Sequence, residues 1–222
     1  MPGELQALNG LGVVRRAQGR YGQASDHHLR ALHLARVTGH LSAEQTALAG
    51  LGVIHRVQGR FEQATDYYWQ ALRLARVHGH HLGELLALIG LAGIHLAQGR
   101  YQQATEHYQQ LLGIAQQCGH RTWQFEAWQG LGRLQHATGN PETALTHHHQ
   151  ALVLATELGQ PNDQARAHDG LARAHLALRQ PEQARTHWQH ALDILTRLGV
   201  DHAEETTVAA IRNNLANLGV AE

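Results

Sequence analysis

The chain carries 20 histidines among 222 residues, and the run His147-His148-His149 and the group His78, His80 and His81 raise metal coordination as the first chemistry to weigh. Neutral imidazole is a ligand for zinc, copper and nickel. Consecutive residues on a helix point about 100 degrees apart, so three in a row cannot converge on one ion, whereas residues at i and i+4 can. His27, His107, His147 and His187 form a regular column, with Tyr67 as its exception, but successive helices pack about 8–10 Å apart, too far for adjacent rungs to share an ion. A tetrahedral site needs three or four ligands about 2 Å from the metal. Thiolates are nearly absent, with Cys118 the single cysteine, and the acidic residues do not interleave with the histidines at helical spacing. The sequence therefore predicts no metal centre and no cofactor, only adventitious nickel or zinc binding by exposed rings. With ordinary values near 6.5, the histidines are expected to add many positive charges between about pH 7 and 5 and to make solubility and self-association pH-dependent.

Other catalytic signatures are missing. There is no glycine-rich phosphate loop after a strand, no Gly-x-Ser-x-Gly elbow and no His-Glu-x-x-His pair. Cys118 precedes Gly119 and reads as a small helix-end residue rather than a nucleophile. The acidic stretch Asp201-His202-Ala203-Glu204-Glu205 reads as a capped first helical turn. No catalytic residue is predicted, and the protein is not expected to be an enzyme. The 18 basic residues, all arginine, balance 18 acidic ones, which leaves no basic tract for nucleic acid. No apolar run approaches the roughly 18 residues of a membrane span, and Met1-Pro2-Gly3-Glu4 does not read as a leader. With one cysteine, these features lead to the expectation of a cytoplasmic protein without nucleic-acid or membrane partners.

The elements that must position any site follow from a period of forty. Gly10, Gly50, Gly90, Gly130 and Gly170 share one column, Ala24, Ala64, Ala104, Ala144 and Ala184 another, and Gly39, Gly79, Gly119, Gly159 and Gly199 a third. A fixed period of this length marks a repeat protein, read as one array over 1–222. Each unit is an antiparallel helix pair, the first helix of the first unit spanning about Glu4 to Ala17 and its second carrying Tyr21, Ala24, His28, Ala31-Leu32 and Ala35. Repeats are expected at about 4–39, 42–79, 82–119, 122–159 and 162–199. Glycine inside a helix costs about 1 kcal/mol relative to alanine, so Gly50 and Gly52 imply compensating close contacts. Ser42 with Gln45, and Asp201 with Glu204, read as capping boxes. Asn140-Pro141, Pro161 and Pro181 mark helix starts. A capping helix is expected over 202–218, with Val208, Ile211, Leu215 and Leu218 facing the last pair.

These columns resemble the tetratricopeptide repeat: Leu48, Leu51-Gly52, His55, Ala64, Tyr68 and Ala71 in the second unit, Leu88, Leu91-Ala92, His95, Ala104 and Tyr108 in the third, and Trp128, Leu131-Gly132, Gln135, Ala144, His148 and Ala151 in the fourth. His28 and His148 stand where an aromatic is usual, Leu111 replaces the final alanine of the third unit, and the proline expected near the end of the second helix is missing. The longer period is similar to the long-helix variant of kinesin light chains, Leu-Gly-Asn adaptors and bacterial ATPase-type (STAND) transcriptional regulators. The resemblance implies an all-α, right-handed superhelical solenoid of five helix pairs plus a capping helix. It also implies a non-catalytic module that binds a protein or peptide in a groove lined by the first helices, as a sensor or regulatory part of a larger signalling protein.

Family geometry carried onto this chain places groove residues at Gln6, Asn9, Val13 and Arg16, then Thr46, Ala49, Val53 and Arg56. The next sets are Leu86, Ile89, Gly93 and Leu96; Glu126, Gln129, Arg133 and His136; and Arg166, Asp169 and Arg173. This wall is apolar in its middle and arginine-rich toward the C-terminal third, which suits a peptide with an apolar centre and an acidic or amide-rich end. Mutual pairing of the charges along a solvated face is the alternative for the arginines. Two other functions stay open: a homo-oligomerisation scaffold that self-associates through the first helix, and a sensor of a small ligand or signalling peptide.

Overall fold

The computed structural model describes residues 2–218. Ten helices of near-equal length come first: α1 (Pro2–Ala17), α2 (Tyr21–Thr38), α3 (Leu41–Val57), α4 (Phe61–Val77), α5 (His81–Ala97), α6 (Tyr101–Gln117), α7 (Arg121–Ala137), α8 (Pro141–Glu157), α9 (Pro161–Ala177) and α10 (Pro181–Leu198). Two short strands, β1 (His202–Ala203) and β2 (Thr206–Thr207), precede α11 (Val208–Leu218). The chain divides into two compact units, Met1–Ile114 and Ala115–Glu222. In the first, α1 to α5 each pack on the next, and α1, α3 and α5 lie side by side. In the second, α7 to α10 pack consecutively, α7 lies beside α9, and α11 closes on α10.

The turns explain why helices of this length fold back at once. Gly19, Gly59, Gly99 and Gly139 hold φ between +70° and +77°, a left-handed conformation open to glycine without steric cost. Backbone bonds such as Arg20 N to Arg15 O (2.9 Å) and Arg60 N to His55 O (2.9 Å) then satisfy the helix ends in a Schellman arrangement. The fifth repeat has Arg179 at this position, at φ +58°.

Small residues sit where rings cross. The ring of His28 lies between Gly12 and Gly50, that of Tyr68 between Gly52 and Gly90, and that of His148 between Gly132 and Gly170. A methyl group on Gly50 or Gly170 would come within 2.5 Å or 2.4 Å of the enclosed ring. The compensation for helical glycine is therefore an aromatic or imidazole ring buried between first helices. Ala24, Ala64, Ala144 and Ala184 are fully buried, as are Ala31, Ala71, Ala151 and Ala191, so the second helices close in on methyl groups.

Three expectations about helix starts change. Ser42 lies inside α3, and His40 occupies the N-cap without a side-chain cap bond, so the Ser42–Gln45 box does not form. Asn140 stands at the N-cap of α8 but makes no cap bond; its Nδ2 donates to Thr138 Oγ1 instead. Pro141, Pro161 and Pro181 do open α8, α9 and α10. The Asp201–Glu204 box is replaced by the β1–β2 hairpin, with His202 paired to Thr207 and Ala203 to Thr206. Helix α11 thus starts at Val208, later than residue 202. Thr207 Oγ1 accepts from Ala210 N at 3.1 Å, and Asp201 contributes its carbonyl to Val208 N at 2.9 Å. Ile211 is buried, and Val208 and Leu218 nearly so, which seats the expected apolar stripe against α10.

Candidate functional site

Each first helix shows one face to its partner helix and another to solvent, and the expected groove residues divide between the two. Asn9, Gln129 and Asp169 are buried, occupying the same position in three repeats. Each holds the ring nineteen residues later: Asn9 Oδ1 lies 3.1 Å from His28 Nδ1, Gln129 Oε1 lies 2.9 Å from His148 Nδ1, and Asp169 Oδ1 accepts from Trp188 Nε1 at 2.8 Å. The amides are tied down further, with Asn9 Nδ2 donating to Ala43 O and Gln129 Nε2 to Arg166 O. Asp169 Oδ2 also accepts from Thr206 Oγ1 and from Arg173 Nε. In these three repeats, and at Ala49 in the second, this column is buried and sets the helix phase; only in the third does it come outward, at half-buried Ile89.

In the first unit the remaining columns face outward, together with Ile89. Val13 and Arg56 are exposed, and Arg16, Val53, Leu86, Ile89 and Leu96 are half-buried. Because α1, α3 and α5 are side by side, these residues form one surface, most of its apolar side chains on α5 with Val13 and Val53 added from α1 and α3, and its guanidinium groups on α1 and α3. Tyr68 is buried between Gly52 and Gly90; burial raises its pKa, while the charge of Arg56, a hydrogen bond from Arg56 and the charge of Arg16 work against that rise. Arg16 and Arg56 form no ion pair among the described residues.

The second unit differs. Arg166 is buried, paired in forked geometry with Glu126 at 2.7 and 3.0 Å, bonded to Asp163 at 3.0 Å, and set over the Phe125 ring at 5.1 Å. Burial works to lower its pKa, but Glu126 outweighs this and holds the guanidinium charged. Arg133 pairs with Glu205 at 3.1 Å and Arg173 with Asp169 at 3.0 Å. Glu126, Asp163 and Arg166 border a polar cleft of about 490 Å³ closed on one side by His202 and Glu204 of the hairpin. The three groove arginines Arg133, Arg166 and Arg173 are thus matched by carboxylates, as mutual pairing along a charged face requires, while His136 remains exposed.

Eight histidines do not titrate as the sequence leads one to expect. Burial is the leading cause that lowers the pKa of His28, His55, His95, His107, His147, His148, His168 and His187. The gain of positive charge below pH 7 is accordingly smaller and later. Among the described residues the histidines also converge once: ligand atoms of His168, His187 and His190 lie within 4.8 Å of one another. This contact runs across a hairpin, not along a helix or a column, so neither helical spacing nor the forty-residue period displays it. Cys118 is free and half-buried just beyond α6, and no described helix is long and apolar enough to cross a membrane.

The chain belongs to the tetratricopeptide repeat family. A tetratricopeptide repeat pattern matches residues 42–117 and 123–197, and a second pattern of that family matches 7–40. No curated protein matches the sequence. Among solved structures, BtubC (BKLC) from P. vanneervenii is similar at TM-score 0.74 and 18% identity, over 87% of this chain and 80% of that one. Nearly identical tetratricopeptide-like repeats of a putative kinesin light chain from Podosopora anserina give 0.68 at 17% identity, over 89% and 98%. NprR, solved in complex with its cognate peptide NprX, gives 0.68 at 18% identity, over 96% of this chain and 59% of that one. At these identities the likeness is one of fold.

Proposed function

We propose that this protein is a non-catalytic interaction module that holds a segment of a partner protein or a peptide against the outward face of α1, α3 and α5. The observation that carries this reading is the composition of that face: half-exposed Val53, Leu86, Ile89 and Leu96 lie beside Arg16 and Arg56, whose charges no described carboxylate neutralises. Apolar side chains give a bound segment area to bury, and each guanidinium offers a fork of donors to carboxylates and backbone carbonyls. Rigid helices lose little conformational freedom on binding, which favours affinity. The fit is to a segment with apolar residues flanked by acidic ones. The peptide complex of NprR, a protein of the same fold, is consistent with such use. Relative to the sequence expectation, this moves the acid-binding end from the C-terminal repeats, where Arg133, Arg166 and Arg173 already have partners, to Arg16 and Arg56.

Selection of binders from a random peptide library displayed on phage, followed by fluorescence anisotropy, tests this. Enriched peptides should carry Asp or Glu beside Leu, Ile or Phe. Arg56→Ala and Leu86→Ser should each weaken the best of them by roughly tenfold, the loss of about 1.4 kcal/mol, with the unfolding midpoint unchanged. Failure to enrich any peptide, or affinity indifferent to both substitutions, overturns the reading.

A further inference from the structure

The fifth repeat contains a cluster that none of the others has. His168 on α9 and His187 on α10 face each other with Nδ1 atoms 2.9 Å apart, and His190 lies one turn on from His187, its ring centroid 5.1 Å from that of His168. The forty-residue period supplies an internal comparison. The positions equivalent to His168 are Leu8, Leu48, Leu88 and Trp128, and those equivalent to His190 are Arg30, Gln70, Gln110 and Gln150. The backbone places these three positions together in any repeat, but only the fifth fills all of them with ligating side chains. Packing alone accounts for leucine or tryptophan at the first position; it gives no reason for histidine at the first and third together.

We propose that His168, His187 and His190 form a site for a late first-row divalent cation of the Zn²⁺ type, which clips α9 to α10. Three imidazole nitrogens leave an open fourth position in a tetrahedral site, filled by water or by a group from a partner. For metal–nitrogen bonds of about 2.0–2.1 Å, tetrahedral ligands sit roughly 3.3 Å apart. The His168–His187 spacing of 2.9 Å needs only a few tenths of an ångström of opening, and exposed His190 has room to swing in. No carboxylate belongs to the trio, so hard cations such as Mg²⁺, which prefer oxygen, are disfavoured. A neutral imidazole can present either nitrogen by choice of tautomer and releases no proton on binding. Burial first, and the neighbouring histidines second, bring His168 and His187 to pKa values of about 4, which keeps both rings in the ligating form at neutral pH. His175 stacks on His187 at 5.3 Å, and its own Nδ1 is engaged by Gln180 Oε1 at 2.7 Å, so it supports His187 from outside the trio.

The difficulty is to separate one built site from the background of surface histidines. Zn²⁺ is titrated calorimetrically into the full chain and into three variants. His190→Gln removes the exposed ligand at the rim of the cluster; His168→Gln removes the ligand on α9; His78→Gln with His81→Gln removes an exposed histidine group in the other unit. One equivalent should bind more tightly than the rest, and either single substitution should weaken it by roughly a hundredfold, at least the cost of losing an outer-shell partner. The double variant should retain it, and Mg²⁺ should give no such event. Zn²⁺ should also raise the thermal midpoint of the parent chain and not that of His190→Gln. Several weak equivalents without a distinct tight one, or a tight event that survives both single substitutions, overturns the proposal.

Discussion

Nδ1 of His148 lies 2.9 Å from Oε1 of Gln129, and the ring beyond that bond fills the space between Gly132 and Gly170. Because Gln129 Nε2 donates to the carbonyl of Arg166, its oxygen must accept, so His148 carries its proton on Nδ1. Gly170→Ala would put a methyl group 2.4 Å from His148 Nδ1. Overpacking of this kind costs about 1–3 kcal/mol and exceeds the roughly 1 kcal/mol that alanine gains over glycine in a helix. Gly10 occupies the same column as Gly170, yet it is exposed and has nothing near its missing methyl. Urea unfolding should therefore show Gly170→Ala destabilised and Gly10→Ala stabilised, by about 1 kcal/mol for the latter. Equal signs for the two would refute the ring-pocket account.

Acid should destabilise the fold through two of these rings. Burial, with Arg16 next, lowers the pKa of His28 from 6.5 to about 4, and burial, with His136 and Arg133 next, lowers that of His148 to about 3. The folded values lie below the unfolded ones, so between them the unfolded chain binds more protons and stability rises with pH. The contribution is complete above about pH 7 and is lost as pH falls from about 6.5 toward 4. At about 1.4 kcal/mol per unit, the two rings together account for a drop on the order of 4 kcal/mol by about pH 5. Urea unfolding at about pH 7.5 and about pH 5 measures it, and His148→Phe, which cannot titrate, should remove about 2 kcal/mol of the difference, the other lowered histidines supplying the rest beyond His28. Equal stability of the parent chain at both pH values would contradict the assignment.

At Arg179 the repeat departs from its own rule. The other four helix-pair turns use glycine at this position, while Arg179 adopts φ +58°, a conformation that costs a side-chain-bearing residue roughly 1–2 kcal/mol. Arg179→Gly should raise stability by about 1 kcal/mol, since part of the relief is offset by the greater freedom of glycine in the unfolded chain. A lower unfolding midpoint in the variant would show that the arginine side chain contributes more than its backbone costs.

Helix boundaries and the buried columns were legible because both are properties of one helix: spacing by three and four marks a buried face, and glycine or proline marks an end. What column counting misses is the meeting of first and second helices. Asn9 with His28, Gln129 with His148 and Asp169 with Trp188 share a single offset across the hairpin, and aligning repeats compares each helix only with its own copies. His168 and His190 lie equally far on either side of Arg179, so counting outward from the turn would have joined them. The hairpin at Asp201–Thr207 was hidden for another reason. Asp followed three residues later by Glu satisfies a capping pattern locally, but the tip adopts φ +49° at Glu204 and the helix waits for Thr207.

Asp169 links that hairpin to the last repeat. Its carboxylate accepts from Trp188 Nε1 at 2.8 Å, from Thr206 Oγ1 at 3.2 Å and from Arg173 Nε at 3.0 Å, and Trp188 and Thr206 are both buried. Asp169→Ala leaves two buried donors without an acceptor and Arg173 without its partner. A buried group left unsatisfied costs about 1–3 kcal/mol, so a loss of about 2–4 kcal/mol is expected. Because Thr206 belongs to β2, which leads directly into α11, the damage should concentrate at this end. Limited proteolysis should cut Asp169→Ala within 199–207 faster than the parent chain, and the near-ultraviolet circular dichroism of the tryptophans should weaken. Asp169→Asn keeps an acceptor oxygen for Trp188 and loses the charge opposite Arg173, so it should recover part of the stability and most of the protease resistance. If the asparagine variant proves as labile as the alanine one, the negative charge, rather than the hydrogen bonds to Trp188 and Thr206, holds the hairpin in place.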